Sequence, residues 1–172
     1  MIRALGDKVP RIAESAFISE AAYIIGNVVI GERSAAFPGA VVRADYGPIR
    51  VGDDVLIEDN VVLHGDPNGL VIGDSVTLGH GAVVNSRRIG HHVLIGMNAT
   101  VLHDAVIGNR CIIAAGAVVG EGMMVPDGSF VTGVPGRVRG QVTKEQMWWV
   151  DRDPAMYADW LKMIEQYKRE GL

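Results

Sequence analysis

The sequence predicts an all-β chain, a parallel β-helix of hexapeptide repeats with a C-terminal α-helical tail. First, an aliphatic residue or alanine recurs every six positions from Ile18 onwards. Second, a small or aliphatic residue follows four places later in most of these hexads. Third, the chain has 22 glycines but only 6% aromatic residues, so its core must be built from small and β-branched side chains. A six-residue period is neither helical spacing nor strand alternation, and its persistence over roughly a hundred residues is typical of a solenoid.

Each hexad is expected to form a short strand and a turn, and three hexads close one triangular coil. The frame shifts at insertions near Tyr46-Gly47-Pro48 and Asp66-Pro67-Asn68-Gly69, and at a missing residue after Val84. We expect the β-helix domain to span residues 1–140. The large inward residues are Ile18, Ile24, Ile30, Ala36, Val42, Val51, Ile57, Leu63, Ile72, Leu78, Val84, Ile89, Ile95, Val101, Ile107, Ile113, Val119, Val125 and Val131. The smaller inward residues are Val28, Ser34, Ala40, Val55, Val61, Val76, Ala82, Val93, Ala99, Ala105, Cys111 and Ala117.

The remaining segment, residues 141–172, is expected to be a helical tail that packs on the β-helix or on a neighbouring subunit. Turn residues 133–136 end the coils. Thr143-Lys144-Glu145-Gln146 matches a capping box that opens a helix, and Asp153-Pro154 matches a cap that starts a second one. Helical spacing gives this tail one apolar face, made of Met156, Tyr157, Trp160, Leu161, Ile164 and Tyr167. Trp148, Trp149 and Trp160 are therefore interpreted as packing residues.

Composition excludes several classes of partner. The formal net charge of −4 argues against nucleic acid or an anionic membrane as a partner. The single Cys111 cannot form an internal disulfide. The N-terminus has no apolar run of signal-peptide length, and no segment approaches the length of a membrane span. We therefore expect a soluble, cytoplasmic protein.

Two groups of polar residues project from different parts of the predicted prism. The hexads of Val42, Leu63, Val84 and Val101 stack, so that Arg43, His64, Asn85 and Leu102 form an outward ladder, with Asp45 and His103 just beyond it. The hexads of Ile57, Leu78 and Ile95 form another face, which carries Glu58, Asp59 and His80. His64 and His80 are therefore not expected to meet within one chain. A cyclic trimer would bring them together at three equivalent sites between subunits.

The run FPGAVVRADYGPIRVGDDVLIEDNVVLHGD, followed by IGDSVTLGHGAVV and IGHHVLIGMNA, resembles the γ-class carbonic anhydrase family over nearly the whole chain. The resemblance implies a left-handed β-helix and a homotrimer that holds zinc, or iron(II), between subunits through three histidines. Two of these positions are His64 and His80, and the third is Asn85. The Arg-x-Asp pair of the family, which supports the interface and the site, is matched by Arg43 and Asp45. The family's Gln-Asp pair is matched by Glu58, which stands in the Gln position, and by Asp59.

The function that this resemblance implies is attack on carbon dioxide by a metal-bound hydroxide, as in a carbonic anhydrase-like lyase. The metal residues would be His64, His80 and Asn85. The catalytic residues would be Glu58, Arg43, Asp45 and Asp59. Asn85 is a poor zinc ligand, because its amide oxygen is hard and weakly basic.

Compensation for Asn85 is conceivable in two ways. Glu58 could supply a carboxylate, giving two histidines and one carboxylate; it could instead act as a general base or pair with Arg43 across the interface. His103 lies one coil above Asn85, although a solvated turn residue is the simpler interpretation. His91 and His92, on another face, are interpreted as turn residues.

Two alternative functions stay open at this point. One is a non-catalytic trimeric scaffold whose metal site has degenerated. The other is a thioesterase or acyltransferase acting on a coenzyme A thioester. Metal binding separates the metalloenzyme from the non-catalytic scaffold.

Overall fold

A computed structural model describes residues 1–151 and 154–171 of the chain, without the side chains of residues 154–157. It is a parallel β-helix of about seven coils with a C-terminal helical segment, so the predicted fold class is confirmed. The strands are β1 (Ile2–Arg3), β2 (Arg11–Ile12), β3 (Phe17–Ile18), β4 (Tyr23–Ile30), β5 (Ala35–Ala36), β6 (Val41–Val51), β7 (Leu56–Ile57), β8 (Val62–His64), β9 (Leu70–Ile72), β10 (Thr77–Leu78), β11 (Val83–Val84), β12 (Arg88–Ile89), β13 (Leu94–Ile95), β14 (Thr100–Val101), β15 (Val106–Ile107), β16 (Ile112–Ile113), β17 (Val118–Val119), β18 (Met124–Val125), β19 (Ser129–Thr132) and β20 (Arg137–Gln141). The helices are α1 (Lys144–Asp151) and α2 (Pro154–Glu170).

The strands form three faces of a prism. Face 1 stacks β1, the first parts of β4 and β6, then β8, β11, β14 and β17. Face 2 stacks β2, the second parts of β4 and β6, then β9, β12, β15 and β18. Face 3 stacks β3, β5, β7, β10, β13, β16 and β19. The long strands β4 and β6 bend round the corner between faces 1 and 2.

The core consists of the two inward series that the repeat predicts. Every residue in both series is buried except Ile18, which is half-buried. Ile18 lies in β3, the edge strand of face 3, so no coil covers it from below. Register follows the hexads as predicted, with Leu63 paired to Val42 and Val84, and Leu78 paired to Ile57 and Ile95.

The two predicted insertions lie at the same corner, between faces 1 and 2, and stack on each other. The Gly47 N–H donates to the Gly65 carbonyl at 3.1 Å. A Cβ added to Gly47 would lie only 1.5 Å from the Asp66 carbonyl oxygen. Glycine is therefore required at position 47 by the approach of the next coil.

A column of side chains, the corner ladder, links the coils at the corner between faces 2 and 3. Each member accepts the backbone N–H of the coil below, at 2.8–3.0 Å from donor to acceptor. The acceptors are Asp53, Asp74, His91, Asn109 and Asp127. His91 is a turn residue as predicted, and its Nδ1 accepts the N–H of Asp74. The adjacent His92 has a φ of 52° in the same turn.

The last coil ends in a strand that the repeat does not predict. After the turn at residues 133–136, β20 pairs antiparallel with β19 on face 3. Its residues are all exposed and include two arginines, Arg137 and Arg139. The repeat offers no signal for this strand, because an antiparallel return breaks the six-residue frame.

The tail is anchored to the β-helix at two places. The predicted capping box is confirmed: the Gln146 N–H donates to the Thr143 hydroxyl, and the Thr143 N–H donates to the Gln146 side chain. Arg110 binds Asp151 of α1 at 2.9 Å. In α2, Ile164 is buried and Trp160 packs edge-on against Phe37, with ring centroids 5.2 Å apart. A further edge-on contact joins Tyr167 to Phe17.

The predicted cap at Asp153 and the side chains of Met156 and Tyr157 lie outside the described residues. Among the residues that the structure describes, no helix is long and apolar enough to cross a membrane.

Candidate functional site

The first half of the candidate site, the His64 cluster, consists of Arg43, Asp45 and His64 at the end of face 1. The register of β6 and β8 pairs Arg43 with His64, so their side chains leave neighbouring coils side by side. Arg43 Nη1 lies 2.5 Å from Asp45 Oδ2, within one chain. Asp45 Oδ1 lies 3.2 Å from His64 Nε2. One carboxylate therefore holds both the guanidinium and the imidazole.

The charge state of Asp45 is set by these neighbours. Partial desolvation raises the pKa of Asp45, but hydrogen bonds from Arg43 and His64 and the Arg43 charge outweigh it and hold the pKa below its usual 3.8. Asp45 is therefore ionised at neutral pH. An ionised carboxylate only accepts, so Nε2 of His64 donates to Asp45 and Nδ1 is the ring nitrogen that points away from this contact.

Asn85 lies one coil above His64, as the repeat predicts. Its Nδ2 is 2.6 Å from His103 Nε2, and its Oδ1 is buried without a hydrogen-bond partner. His103, expected to be a solvated turn residue, is therefore bound to Asn85 although it remains exposed. In either orientation of the amide, one polar atom faces His103 and the other is buried.

The second half, the His80 cluster, consists of Glu58, Asp59 and His80 at the end of face 3. Pairing of β7 with β10 stacks these residues on neighbouring coils. His80 Nδ1 lies 2.9 Å from Asp59 Oδ2, and His80 Nε2 lies 3.3 Å from Glu58 Oε2. The same Glu58 oxygen accepts the backbone N–H of His80 at 3.0 Å. Both ring nitrogens of His80 therefore have a carboxylate beside them.

The two clusters leave different faces, as predicted. Across residues 1–151 and 154–171, no group of three histidine, cysteine or acidic side chains is arranged to hold a metal ion. A metal centre built from His64 and His80 would therefore need a second chain.

An apolar cavity of about 440 Å³ lies between face 3 and the helical tail. Its lining includes Leu56, Leu94, Ile112, Phe130, Trp149 and Trp160. Glu58 lies at its border and is the one charged residue among the described lining. The repeat contains a signal for this cavity that was not used in the prediction: on face 3, the outward residues just before the inward position are apolar except Thr77. This size and lining are typical of small-molecule sites.

The donor groups present fit a divalent metal shared between chains. Histidines that ligate metals usually donate their other ring N–H to a carboxylate, and both His64 and His80 have such a partner. Two imidazoles and a nearby carboxylate suit zinc or iron(II). Asn85 adds no imidazole to this set, and its amide faces His103.

The chain is similar to two groups of known proteins, the bacterial hexapeptide transferases and the carbonic anhydrases. The family model for bacterial transferase hexapeptide (six repeats) matches residues 88–121. A probable carbonic anhydrase of Methanocaldococcus jannaschii is 40% identical over 160 residues, which cover 91% of this chain and 99% of that protein. The mitochondrial gamma carbonic anhydrase 1 of Arabidopsis thaliana is 32% identical over 89% of this chain. This chain spans 58% of the Arabidopsis protein's length.

Among solved structures, a hexapeptide transferase family protein from Anaplasma phagocytophilum superposes with a TM-score of 0.87 at 28% identity. The match covers 95% of this chain and 96% of that one. The two folds thus superpose over nearly all of both chains.

Proposed function

The chain belongs to the γ-class carbonic anhydrase-like family of hexapeptide-repeat proteins, and we propose that it hydrates carbon dioxide at metal sites between the subunits of a homotrimer. One observation carries this proposal. His64 and His80 each have a ring nitrogen beside a carboxylate, Asp45 and Asp59 respectively, as ligating imidazoles do. His91 also lies beside a carboxylate, that of Asp74 at 3.1 Å, but its Nδ1 already accepts the Asp74 backbone N–H in the corner ladder.

The trimer supplies the second half of each site. His64 of one subunit would face His80 of its neighbour, because the two lie on different faces of the prism. Face 1 carries an outward column of largely apolar residues that a neighbour would cover. The column consists of Tyr23, Val41, Val62, Val83, Thr100 and Val118, and Tyr23 and Val83 are well exposed in the single chain. A closed cyclic assembly would bury it in three equivalent interfaces.

Each polar residue has a distinct task in this proposal. His64 and His80 would hold a zinc or iron(II) ion, which supplies Lewis acidity towards a small electrophile. Asp45 and Asp59 orient the two rings. Arg43 fixes Asp45 and, being half exposed, offers a cation to an anionic product such as hydrogencarbonate.

Metal analysis of the purified protein, combined with carbon dioxide hydration measured by stopped flow, tests the proposal. We expect about one divalent metal ion per chain, lost together with activity in His64→Ala and in His80→Ala. His91→Asn is the matched control, because asparagine already serves the corner ladder at Asn109. Protein that binds no metal after incubation with zinc or iron(II) would overturn the metalloenzyme proposal. A monomeric mass in solution would contradict the interface.

The cavity beside Glu58 favours a second candidate, hydrolysis or transfer of an acyl group from a thioester. An apolar acyl chain would lie over Leu94 and Ile112, with its carbonyl carbon towards Glu58 and His80. Carbon dioxide has no chain to fill such a cavity. Dependence of the rate on chain length therefore separates the two candidates.

A further inference from the structure

We propose that Glu58 is the third protein ligand of the metal, in place of the imidazole that is absent at Asn85. This inference rests on the proposed metal centre between subunits. The site would then contain His64 of one subunit with His80 and Glu58 of its neighbour. Its ligand set would be two imidazoles and one carboxylate.

The distance between the two donors of one subunit carries the argument. Glu58 Oε2 and His80 Nε2 are 3.3 Å apart. Ligands bound to zinc at about 2.0–2.2 Å and tetrahedral angles lie roughly 3.3–3.5 Å from each other. These two atoms are therefore already spaced as two ligands of one ion.

The orientation of His80 agrees with this assignment. Asp59 lies 2.9 Å from Nδ1, on the other side of the ring, so the carboxylate that orients the imidazole and the one beside its ligating nitrogen are different groups. Glu58 also accepts the His80 backbone N–H through the same oxygen. That contact fixes the position of the carboxylate relative to the ring with which it would share the ion.

Burial distinguishes Glu58 from Asp59. The Glu58 side chain is 16% exposed, whereas those of Asp59 and His80 are 42% and 50% exposed. Glu58 therefore lies on the inner side of the cluster, between the imidazole and the apolar cavity. A carboxylate in so dry a position gains more from a bound cation than one in water.

The neighbouring groups leave the third position to Glu58. The Asn85 amide faces His103 with one polar atom and buries the other. Asp45 is held by Arg43 and His64. Two histidines and one carboxylate form a recognised set for zinc and for non-haem iron(II).

Cobalt(II) titration followed by visible absorption measures the ligand set without using activity. We expect the wild-type trimer to bind cobalt, and Glu58→Gln to bind it at least about 100-fold more weakly, beyond the 10–100-fold range for loss of an orienting group. Asp59→Asn is the matched control, and its cobalt affinity should fall by about 10–100-fold. Glu58→Gln/Asn85→His should recover cobalt binding, because position 85 then supplies the third imidazole.

The outcomes separate this inference from the proposed function. Cobalt binding lost in His64→Ala and His80→Ala but unchanged in Glu58→Gln overturns the role of Glu58 alone. No binding by the wild type overturns both. If the double variant folds and forms a trimer but does not recover cobalt binding, that result also contradicts Glu58 as the ligand that replaces the imidazole. Circular dichroism and the mass in solution check that each variant folds and forms a trimer. Glu58→Asp keeps the charge but withdraws the carboxylate by one carbon, so it should weaken cobalt binding.

Discussion

Asp45 accepts from Nε2 of His64 at 3.2 Å while its other oxygen binds Arg43, so the orientation of the candidate ligand is set within its own subunit. Because Asp45 is ionised, Nε2 of His64 donates to it and Nδ1 is the ring nitrogen that points away from this contact. Half of each proposed site is thus arranged before two chains meet.

Replacing Asp45 should weaken metal binding without removing a ligand. Asp45→Asn is expected to lower zinc affinity about 10–100-fold, because the amide no longer fixes the tautomer and orientation of His64. Competition titration with a chromophoric chelator measures the change. Asp104→Asn, at an exposed turn position, is the control and should leave affinity unaltered. Equal affinities for wild type and Asp45→Asn would show that the contact does not prepare the site.

The apolar cavity makes a separate prediction about acyl substrates. If an acyl chain binds over face 3, nitrophenyl esters should show a KM that falls as the chain lengthens from acetyl to octanoyl. Ala114→Phe, which fills the cavity, should abolish this trend and leave metal content unchanged. Val71→Phe adds the same bulk at an exposed position of face 2. No ester hydrolysis, or a KM independent of chain length, would exclude the acyl candidate.

Gly47 should tolerate no side chain. Its added Cβ would collide with the Asp66 carbonyl, which belongs to backbone and can move only with the next coil. Gly47→Ala is expected to lower the free energy of unfolding by at least about 3 kcal/mol, the upper end for overpacking. Gly120→Ala, which meets nothing within 4 Å, should change it by no more than about 0.5 kcal/mol. Urea unfolding of both variants decides the comparison.

The corner ladder should make stability depend on pH through Asp127. Hydrogen bonds from the Asn109 backbone and side chain hold the pKa of Asp127 below its usual 3.8. Its ionised form therefore favours folding: the contribution is complete above pH 3.8 and is lost as the pH falls through the lower, folded value. Asp127→Asn keeps an acceptor for the ladder but cannot titrate. The stability difference between wild type and Asp127→Asn should thus shrink on acidification. A difference that stays constant from pH 6 to pH 2.5 would contradict the assignment.

The fold could be predicted because the repeat specifies burial directly. Inward residues such as Leu63 and Leu78 recur in every coil. Their six-residue spacing therefore predicts which face each strand lies on, its register and the strands it stacks against. The same frame placed His64 and His80 on different faces. Ile18 is the exception, because it is inward but only half-buried. The six-residue frame does not indicate that its coil has no neighbour below.

The finer geometry of the site could not be predicted, because it depends on side-chain directions outside the frame. The contact between Asn85 and His103 joins the end of β11 to a turn residue one coil higher. The cavity is formed where the tail lies over face 3. Contacts of Trp160 with Phe37 and of Asp151 with Arg110 hold the tail there. Helical spacing identified the apolar side of the tail but carries no information on the gap left beneath it.

A stack of equivalent parallel coils has no intrinsic length, since each coil offers the next the same backbone groups. The antiparallel strand β20 ends this sequence of additions on face 3: it pairs with β19 in the wrong direction for a further coil and places Arg137 and Arg139 along the new edge. Charged side chains on an edge strand disfavour pairing with other chains. These few exposed residues, which contribute nothing to the core, close the edge of face 3 to a further parallel coil.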